Sequence, residues 1–319
     1  MTVILDKNKS LQLLVDEKIA ELGLGSYAML NRLQKKVISQ QLIKWNTNAQ
    51  GATATGEATT VEISAFDKDD VVGASLPIGK NRLRHSFSLQ KEDIAEAKAA
   101  GKGALSDLFG YQIESGMRVI METLSGRLYT GTGVSSHGGI VGLQTAVAAT
   151  GVYADVDPAT YPEWSAFVNS AGSNRAMTSV LLNAMDVGIR RKGGNFTAIY
   201  MTPELASKYK ELFAANLSIQ NQLPAGVADL GYTGLAYMGR PIVQDIYCPA
   251  NQVYFVNEPE VCLYTYAQNN TSNRSGMQFY IEQLPSTNPD AEKYVVAVKP
   301  QLQVHNRAKG AALLNAITQ

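Results

Sequence analysis

The side chains from which a base, a nucleophile or a metal site would be built are His85, His137, His305, Cys248 and Cys262, and they stand far apart in unlike contexts. Acid–base or nucleophilic catalysis needs such groups to converge. His85 falls on the apolar face of an alternating segment, which suits a partly buried histidine with its hydrogen bonds satisfied rather than a base. The two cysteines are too few for a disulfide framework and lack the short paired spacing of a structural zinc site, so both are predicted to be buried small hydrophobes. No Gly-x-Ser-x-Gly elbow, HExxH helix or Walker loop occurs. The glycine-rich run from Gly131 to Gly139 could cradle a phosphate, the one feature favouring a nucleotide-binding enzyme. It lacks the GxGxxG spacing, the preceding strand and the lysine that such a loop requires. Arg190-Arg191-Lys192-Gly193-Gly194-Asn195 could also touch phosphate, but cations and glycines in this order read first as the capped C-terminus of a helix. No catalytic residue, cofactor site or metal ligand is assigned, and no cofactor is expected.

Charge is the chemistry that remains. With 28 basic and 28 acidic side chains the whole chain has no field that would draw nucleic acid or a membrane, and neutrality permits dense self-association. Locally the balance breaks. Between Leu22 and Gly56 there is no acidic residue, while Arg32, Lys35, Lys36 and Lys44 form a positive stretch, either a solvated helix face or a contact for phosphate or an acidic neighbour. Further on, the acidic Asp67, Asp69 and Asp70 are followed, after Pro77 and Gly79, by the basic Lys80, Arg82 and Arg84.

The elements that must position these groups are marked by hydrophobic pattern. At 319 residues, 45% hydrophobic and 18% charged, the chain can bury a large core. The start has no signal-peptide run and no stretch approaches the ~18 apolar residues of a membrane span, so a reducing, aqueous compartment is expected. Residues 1 to 45 read as an arm with two amphipathic helical stripes, one through Leu11, Leu14, Ile19 and Leu22, the other through Leu30, Leu33, Val37 and Ile38. From Asn46 to about Gln90, the alternating segments Val61 to Ser64 and Leu83 to Leu89 predict a two-stranded extension, which buries too little to be stable without a neighbouring subunit. A short helix from Lys91 precedes the strongest periodicity, Ala104 to Tyr129, a rod of roughly 39 Å. Helices are predicted over 158–171 and 177–190, a strand over 197–201, and a helix opening at Thr202-Pro203-Glu204, where an N-cap oxygen, a first-turn proline and an acid against the dipole coincide. The stretch Gly231 to Asn257 predicts a hairpin, Ile242-Val243 and Val253-Tyr254-Phe255-Val256 flanking a Cys248-Pro249-Ala250-Asn251 turn. Strands over 261–266, 277–284 and 293–304 close the chain.

Taken in order, these segments resemble the HK97-type major capsid proteins of tailed double-stranded DNA bacteriophages. The pieces that carry the resemblance are Ile140-Val141-Gly142-Leu143-Gln144 after the rod helix, Ala159-Thr160-Tyr161-Pro162 with Trp164, Met201-Thr202-Pro203-Glu204-Leu205, and Gly239-Arg240-Pro241-Ile242-Val243 through Val253-Tyr254-Phe255-Val256-Asn257. The resemblance implies an α+β fold with an N-terminal arm over 1–45, an extended E-loop over 46–90, a peripheral domain with a long spine helix over 91–139, an axial α/β domain over 140–270 and peripheral return strands over 271–319. It implies a non-enzymatic subunit that self-assembles into hexamers and pentamers of an icosahedral shell around double-stranded DNA, made in the host cytoplasm and resident in the virion. Implied partners are other copies of the chain, scaffold, portal and cement or decoration proteins, and packaged DNA held non-specifically, with no membrane. On that reading Asp67, Asp69, Asp70, Lys80, Arg82 and Arg84 are candidates for inter-subunit contact, and Arg32, Lys35 and Lys36 for contact with the interior or its DNA. An encapsulin-type nanocompartment shell shares the fold and differs in enclosing protein cargo.

Overall fold

The computed structural model describes residues 27–50, 70–100, 102–213, 235–268, 272–274, 276–285 and 290–318. The stripe through Leu11 to Leu22, the alternating segment 61–64, and Asp67 and Asp69 lie outside these residues, and of Asp70 only the backbone is described.

The described chain begins with one helical turn, α1 (Ala28–Arg32), and continues as β1 (Gln34–Ile38). The second stripe of the expected arm is therefore helix only as far as Arg32. Val37 and Ile38 are β-branched and lie on a strand that pairs in parallel with β10 (Val261–Tyr266), a long-range partner that overrides the local helical period. Next come β2 (Leu42–Gln50) and β3 (Asp70–Pro77), which form an antiparallel two-stranded sheet with Leu42 opposite Pro77. The two strands of this extension are thus not the pair read from alternation. Segment 83–89 belongs instead to β4 (Leu83–Gln90), paired with β13 (Ala291–Val298), because its inward Leu83, Phe87 and Leu89 find cover in the body of the protein. Strand β12 (Met277–Leu284) pairs with β13 and with β11 (Ser272–Arg274), completing a four-stranded sheet in the order β11-β12-β13-β4. Strand β14 (Pro300–Val304) joins β10 and β1 in a three-stranded sheet.

Helix α2 (Lys91–Ala100) leads into α3 (Lys102–Thr130), whose 29 residues make a rod of about 43 Å. Ile113, Met117, Ile120, Met121, Leu124 and Leu128 recur every three or four residues and are buried. At its end the chain doubles back: Gly142 N–H donates to Gly131 O at 2.8 Å and Gly133 N–H to Ile140 O at 2.8 Å. A Cβ on Gly131 would stand 2.5 Å from the Ile140 carbonyl oxygen, and one on Gly142 would stand 2.6 Å from the Gly131 nitrogen. Glycine is required at Gly131 and Gly142 because two backbones touch there.

After the short α4 (Leu143–Ala146), the helix expected over 158–171 is absent. In its place are a single 3₁₀ turn at Pro162–Trp164 and β5 (Phe167–Asn169). Pro162 holds Tyr161 out of the helical region, and the Asp157 side chain captures the Ala159 N–H at 2.9 Å, so a turn forms before a helix can. Helix α5 (Ser179–Arg191) is capped at both ends. Thr178 accepts from Leu181 N–H, while Gly193 N–H bonds Arg190 O at 2.9 Å and Gly194 N–H bonds Ile189 O at 3.0 Å, a Schellman ending that fits the Arg-Arg-Lys-Gly-Gly run. Strand β6 (Ala198–Met201) and helix α6 (Pro203–Phe213) follow as read, with the Thr202 hydroxyl accepting from Leu205 N–H at 3.3 Å.

The expected hairpin does not form. Strands β8 (Arg240–Gln244) and β9 (Gln252–Val256) lie on opposite edges of β6, parallel and antiparallel to it, in a six-stranded sheet ordered β5-β15-β9-β6-β8-β7 with β7 (Ala236–Tyr237) and β15 (Ala311–Asn315). The turn itself was legible: Asn251 adopts φ 63° and the Asp245 side chain accepts from Tyr247 N–H at 2.9 Å. What misled is length. A connection this long, unlike a two-residue turn, does not dictate that its strands pair, and β6, buried on both faces, needs a neighbour at each edge. Ile199, Met201, Val253 and Phe255 pack under α5 and α6; Ala198, Tyr200, Tyr254 and Val256 face the main core around α3. The last helical turn, α7 (Arg307–Gly310), links β14 to β15.

Candidate assembly surfaces

The described part of the β2–β3 pair is covered on one face and open on the other. Ile43, Thr47, Ala74 and Leu76 are buried and Trp45 and Val72 pack against the core, whereas Val71, on the outward face, is 62% exposed. The Trp45 indole N–H donates to His305 O at 2.9 Å and its ring stacks on His305 at 6.3 Å between centroids. On the other strand, Ser75 N–H donates to Ala154 O at 3.0 Å and the Ser75 hydroxyl to Asp155. Ala154 and Asp155 both have positive φ, 54° and 64°, in a tight turn closed between Tyr153 and Val156 that meets β3.

Just after this hairpin, Lys80 and Arg84 are exposed. Arg82, grouped with them by sequence, is half-buried and engaged within the chain, 3.3 Å from the Tyr280 hydroxyl and 3.4 Å from Glu282. The candidates at the arm separate similarly. Arg32 binds Glu258 through both Nε and Nη2, at 2.5 and 2.9 Å, and the Tyr200 hydroxyl donates to the same carboxylate at 2.6 Å. Burial is the largest single influence and opposes the guanidinium charge, but the hydrogen bonds and charges of Glu258 and Tyr200 together outweigh it and hold the Arg32 pKa above its ordinary value. Lys35 is half-buried against Gly276, and burial lowers its pKa. Lys36 is exposed, its ammonium 5.9 Å from the Tyr264 ring. Of the three, Lys36 alone projects into solvent.

The histidines stay in separate settings. His85 packs against α3, where a Cβ on Gly116 would meet its ring at 2.8 Å; the His137 ring nitrogen lies 3.0 Å from the Thr132 hydroxyl; and His305 approaches Glu260 at 3.3 Å. No helix among the described residues is long and apolar enough to cross a membrane.

No protein-family model and no curated protein matches the chain. Solved structures do. The capsid asymmetric unit of cyanophage A-1(L) superimposes with a TM-score of 0.80 and 24% identity, covering 92% of this chain and 93% of that one. The chain has the HK97-type capsid fold. The capsid of a native GTA particle matches with a TM-score of 0.60 and 11% identity over 92% of this chain and 91% of that one. The holo-SrpI encapsulin complex from Synechococcus elongatus PCC 7942 matches with 0.59 and 11% over 92% and 89%.

Within this HK97-type fold three polar residues that sequence reading passed over tie the elements together: Glu258 beneath Arg32, Asp245 at the end of β8, and Arg307 in α7. Neither cysteine is part of such a site. Cys248 and Cys262 are both buried, and burial pushes both thiols up, Cys248 with a further push from Asp245. Thiol titration of the native protein at pH 8 is therefore expected to label neither, and both after denaturation. Fast labelling of either in the native state would contradict the burial.

Proposed function

We propose that the chain is a major capsid protein, which self-assembles through hexamers and pentamers into an icosahedral shell enclosing double-stranded DNA. The observation that carries the reading is the cyanophage capsid superposition, which runs over nearly the full length of both chains. It is supported by the separate two-stranded β2–β3 sheet, since two strands alone are not a stable unit and suit an element that also lies on a neighbouring copy. In this reading the residues ahead of β2 are the arm, shorter than the expected 1–45 because Leu42–Trp45 belong to β2, and the β2–β3 hairpin with its connection is the E-loop. Helices α2 and α3 form the spine of the peripheral domain, with the strands after residue 271 returning to it, and the six-stranded sheet with α5 and α6 is the axial domain.

Asp67, Asp69, Asp70, Lys80 and Arg84 would then meet charges of an adjoining copy, chiefly setting register and association rate, because exposed pairs contribute only about 0–1 kcal/mol each. Arg82 would serve by holding β12 beside them. Lys36 is the residue of its group best placed to face scaffold protein or DNA. The virion is the location this function implies, with scaffold, portal and decoration proteins as further partners.

Electron microscopy of the purified chain tests the reading. Closed shells, or rings of five and six, are the expected particles. A monodisperse monomer or dimer that remains so on concentration would overturn it. Shells that contain a specific protein and exclude DNA would move the assignment to an encapsulin-type compartment, which the SrpI match makes the second reading.

A further inference from the structure

Between the base of the β2–β3 hairpin and the six-stranded sheet lies an open cleft of about 760 Å³. Asn46 and Asn48 of β2 line one side, the end of α5 another through Arg191 and Lys192, and Lys309 of α7 and Trp164 complete it. Its charge is lopsided. Arg191, Lys192 and Lys309 face a single lining acid, Glu163, in a chain whose total charge is zero.

These cations are not neutralised within the fold. Lys192 donates to the carbonyl oxygen and hydroxyl of Ser165 at 2.5 and 2.9 Å, both uncharged acceptors. Among the described residues neither Arg191 nor Lys309 has an acidic partner, and both are exposed. The Lys309 stem passes the backbone of Gly193, whose φ of +69° turns the chain there, with Lys309 Cε 3.5 Å from the place a Cβ would take. Lys309 is thus brought beside the Lys192 corner. Burial, with Arg307 nearby, presses the Lys192 pKa below its ordinary value, a penalty that an anion in the cleft would relieve.

Two features oppose an anion here, and the geometry answers both. The C-terminal end of α5 carries partial negative charge, but the carbonyls of Ile189 and Arg190 are already capped by Gly194 and Gly193. Glu163 is outnumbered by three cations.

We propose that this cleft binds a phosphate-class oxyanion, supplied by a nucleic-acid backbone or by free polyphosphate. An excess of two positive charges, with the planar fork of Arg191 among the cations, is matched by two phosphodiesters or by a multiply charged pyrophosphate rather than by a lone carboxylate. The side-chain amides of Asn46 and Asn48 add uncharged donors on the opposite wall.

Isothermal titration of the full chain with pyrophosphate, and separately with a short single-stranded thymidine oligonucleotide, tests this. The variant is Arg191→Glu with Lys309→Glu, two exposed residues without ion pairs, so folding is retained; Lys44→Glu, on the same hairpin but outside the cleft, is the control. Saturable binding is expected, weakened at least about tenfold in the double variant and within about twofold of the parent in the control. Oligonucleotide binding that falls more steeply with salt than pyrophosphate binding assigns the site to nucleic acid, and pyrophosphate binding alone assigns it to free polyphosphate. No saturable binding of either probe, or equal binding by the double variant, overturns the proposal.

Discussion

Asp245→Ala is expected to destabilise the chain by about 3 kcal/mol or more and to abolish shell formation at growth temperature. Asp245 is 1% exposed and closes three separate stretches of chain on one carboxyl group. Its Oδ2 accepts from Met29 N–H at 3.2 Å and from the Tyr129 hydroxyl at 2.9 Å, and its Oδ1 accepts from Tyr247 N–H at 2.9 Å. Met29 belongs to α1, Tyr129 to the last turn of α3, and Asp245 itself follows β8, so the group fixes the arm, the rod and the six-stranded sheet relative to each other. Alanine would leave the fully buried Tyr129 hydroxyl and the Met29 N–H without acceptors, and each unsatisfied buried donor costs about 1–3 kcal/mol. The phenol has no escape by ionising, since burial, reinforced by Asp245, pushes its pKa well above the ordinary value.

Asp245→Asn separates hydrogen bonding from shape. One oxygen survives, and the Tyr129 hydroxyl can accept where it formerly donated, but one backbone N–H then faces the new amide nitrogen. About half the loss is expected, with shells still forming. Urea unfolding, read as a shift of midpoint at constant slope, measures both variants. A loss below about 1 kcal/mol for the alanine variant, together with normal particles, would mean that water or a rearranged arm takes over the bonds.

Elements whose evidence is local were readable from sequence. Helix α3 followed its period, α6 its Thr-Pro-Glu opening, and the end of α5 its glycines, because caps and amphipathic stripes act within a few residues. Strand partners were not readable, since they are decided by what remains to be covered. Ile242-Val243 and Val253 to Val256 were recognised as strands but assigned to each other, when β6 stood between them. Leu83 to Leu89 alternated correctly, yet nothing in alternation distinguishes an inner strand beside β13 from the arm of an exposed hairpin.

The charged groups divided along the same line. The sequence grouped Lys80 and Arg84 with Arg82, and Lys36 with Arg32 and Lys35, without separating exposed from engaged, and the engagement of Arg32 by Glu258, 226 residues away, had no local sign. Asp245 did carry one: a lone acid between Ile242-Val243 and Ile246-Tyr247 is where a buried, hydrogen-bonded carboxyl is expected.

Arg307 gave no sign at all, and its removal is the second large loss expected. It sits in an Asn-Arg-Ala-Lys turn, yet it is 1% exposed, and no carboxylate among the described residues ion-pairs with it. Its guanidinium donates from Nε to Ala146 O at 2.9 Å, from Nη1 to Gly151 O at 2.7 Å and from Nη2 to Thr150 O at 3.0 Å, with the Tyr153 ring 5.9 Å away. Three carbonyls between the end of α4 and β5 thus converge on one planar cation, and burial lowers the Arg307 pKa against the opposing influence of Tyr153 and Asp157. Arg307→Ala would strip all three acceptors and open a void, for an expected loss of about 3–5 kcal/mol. Arg307→Lys should recover only a minor part, because an ammonium cannot span the fork that these carbonyls define. A leucine at this position fills the volume without the donors. If Arg307→Leu proved as stable as the parent, packing rather than the three hydrogen bonds would be what holds the loop between α4 and β5, and the clamp assigned to Arg307 would have to be given up.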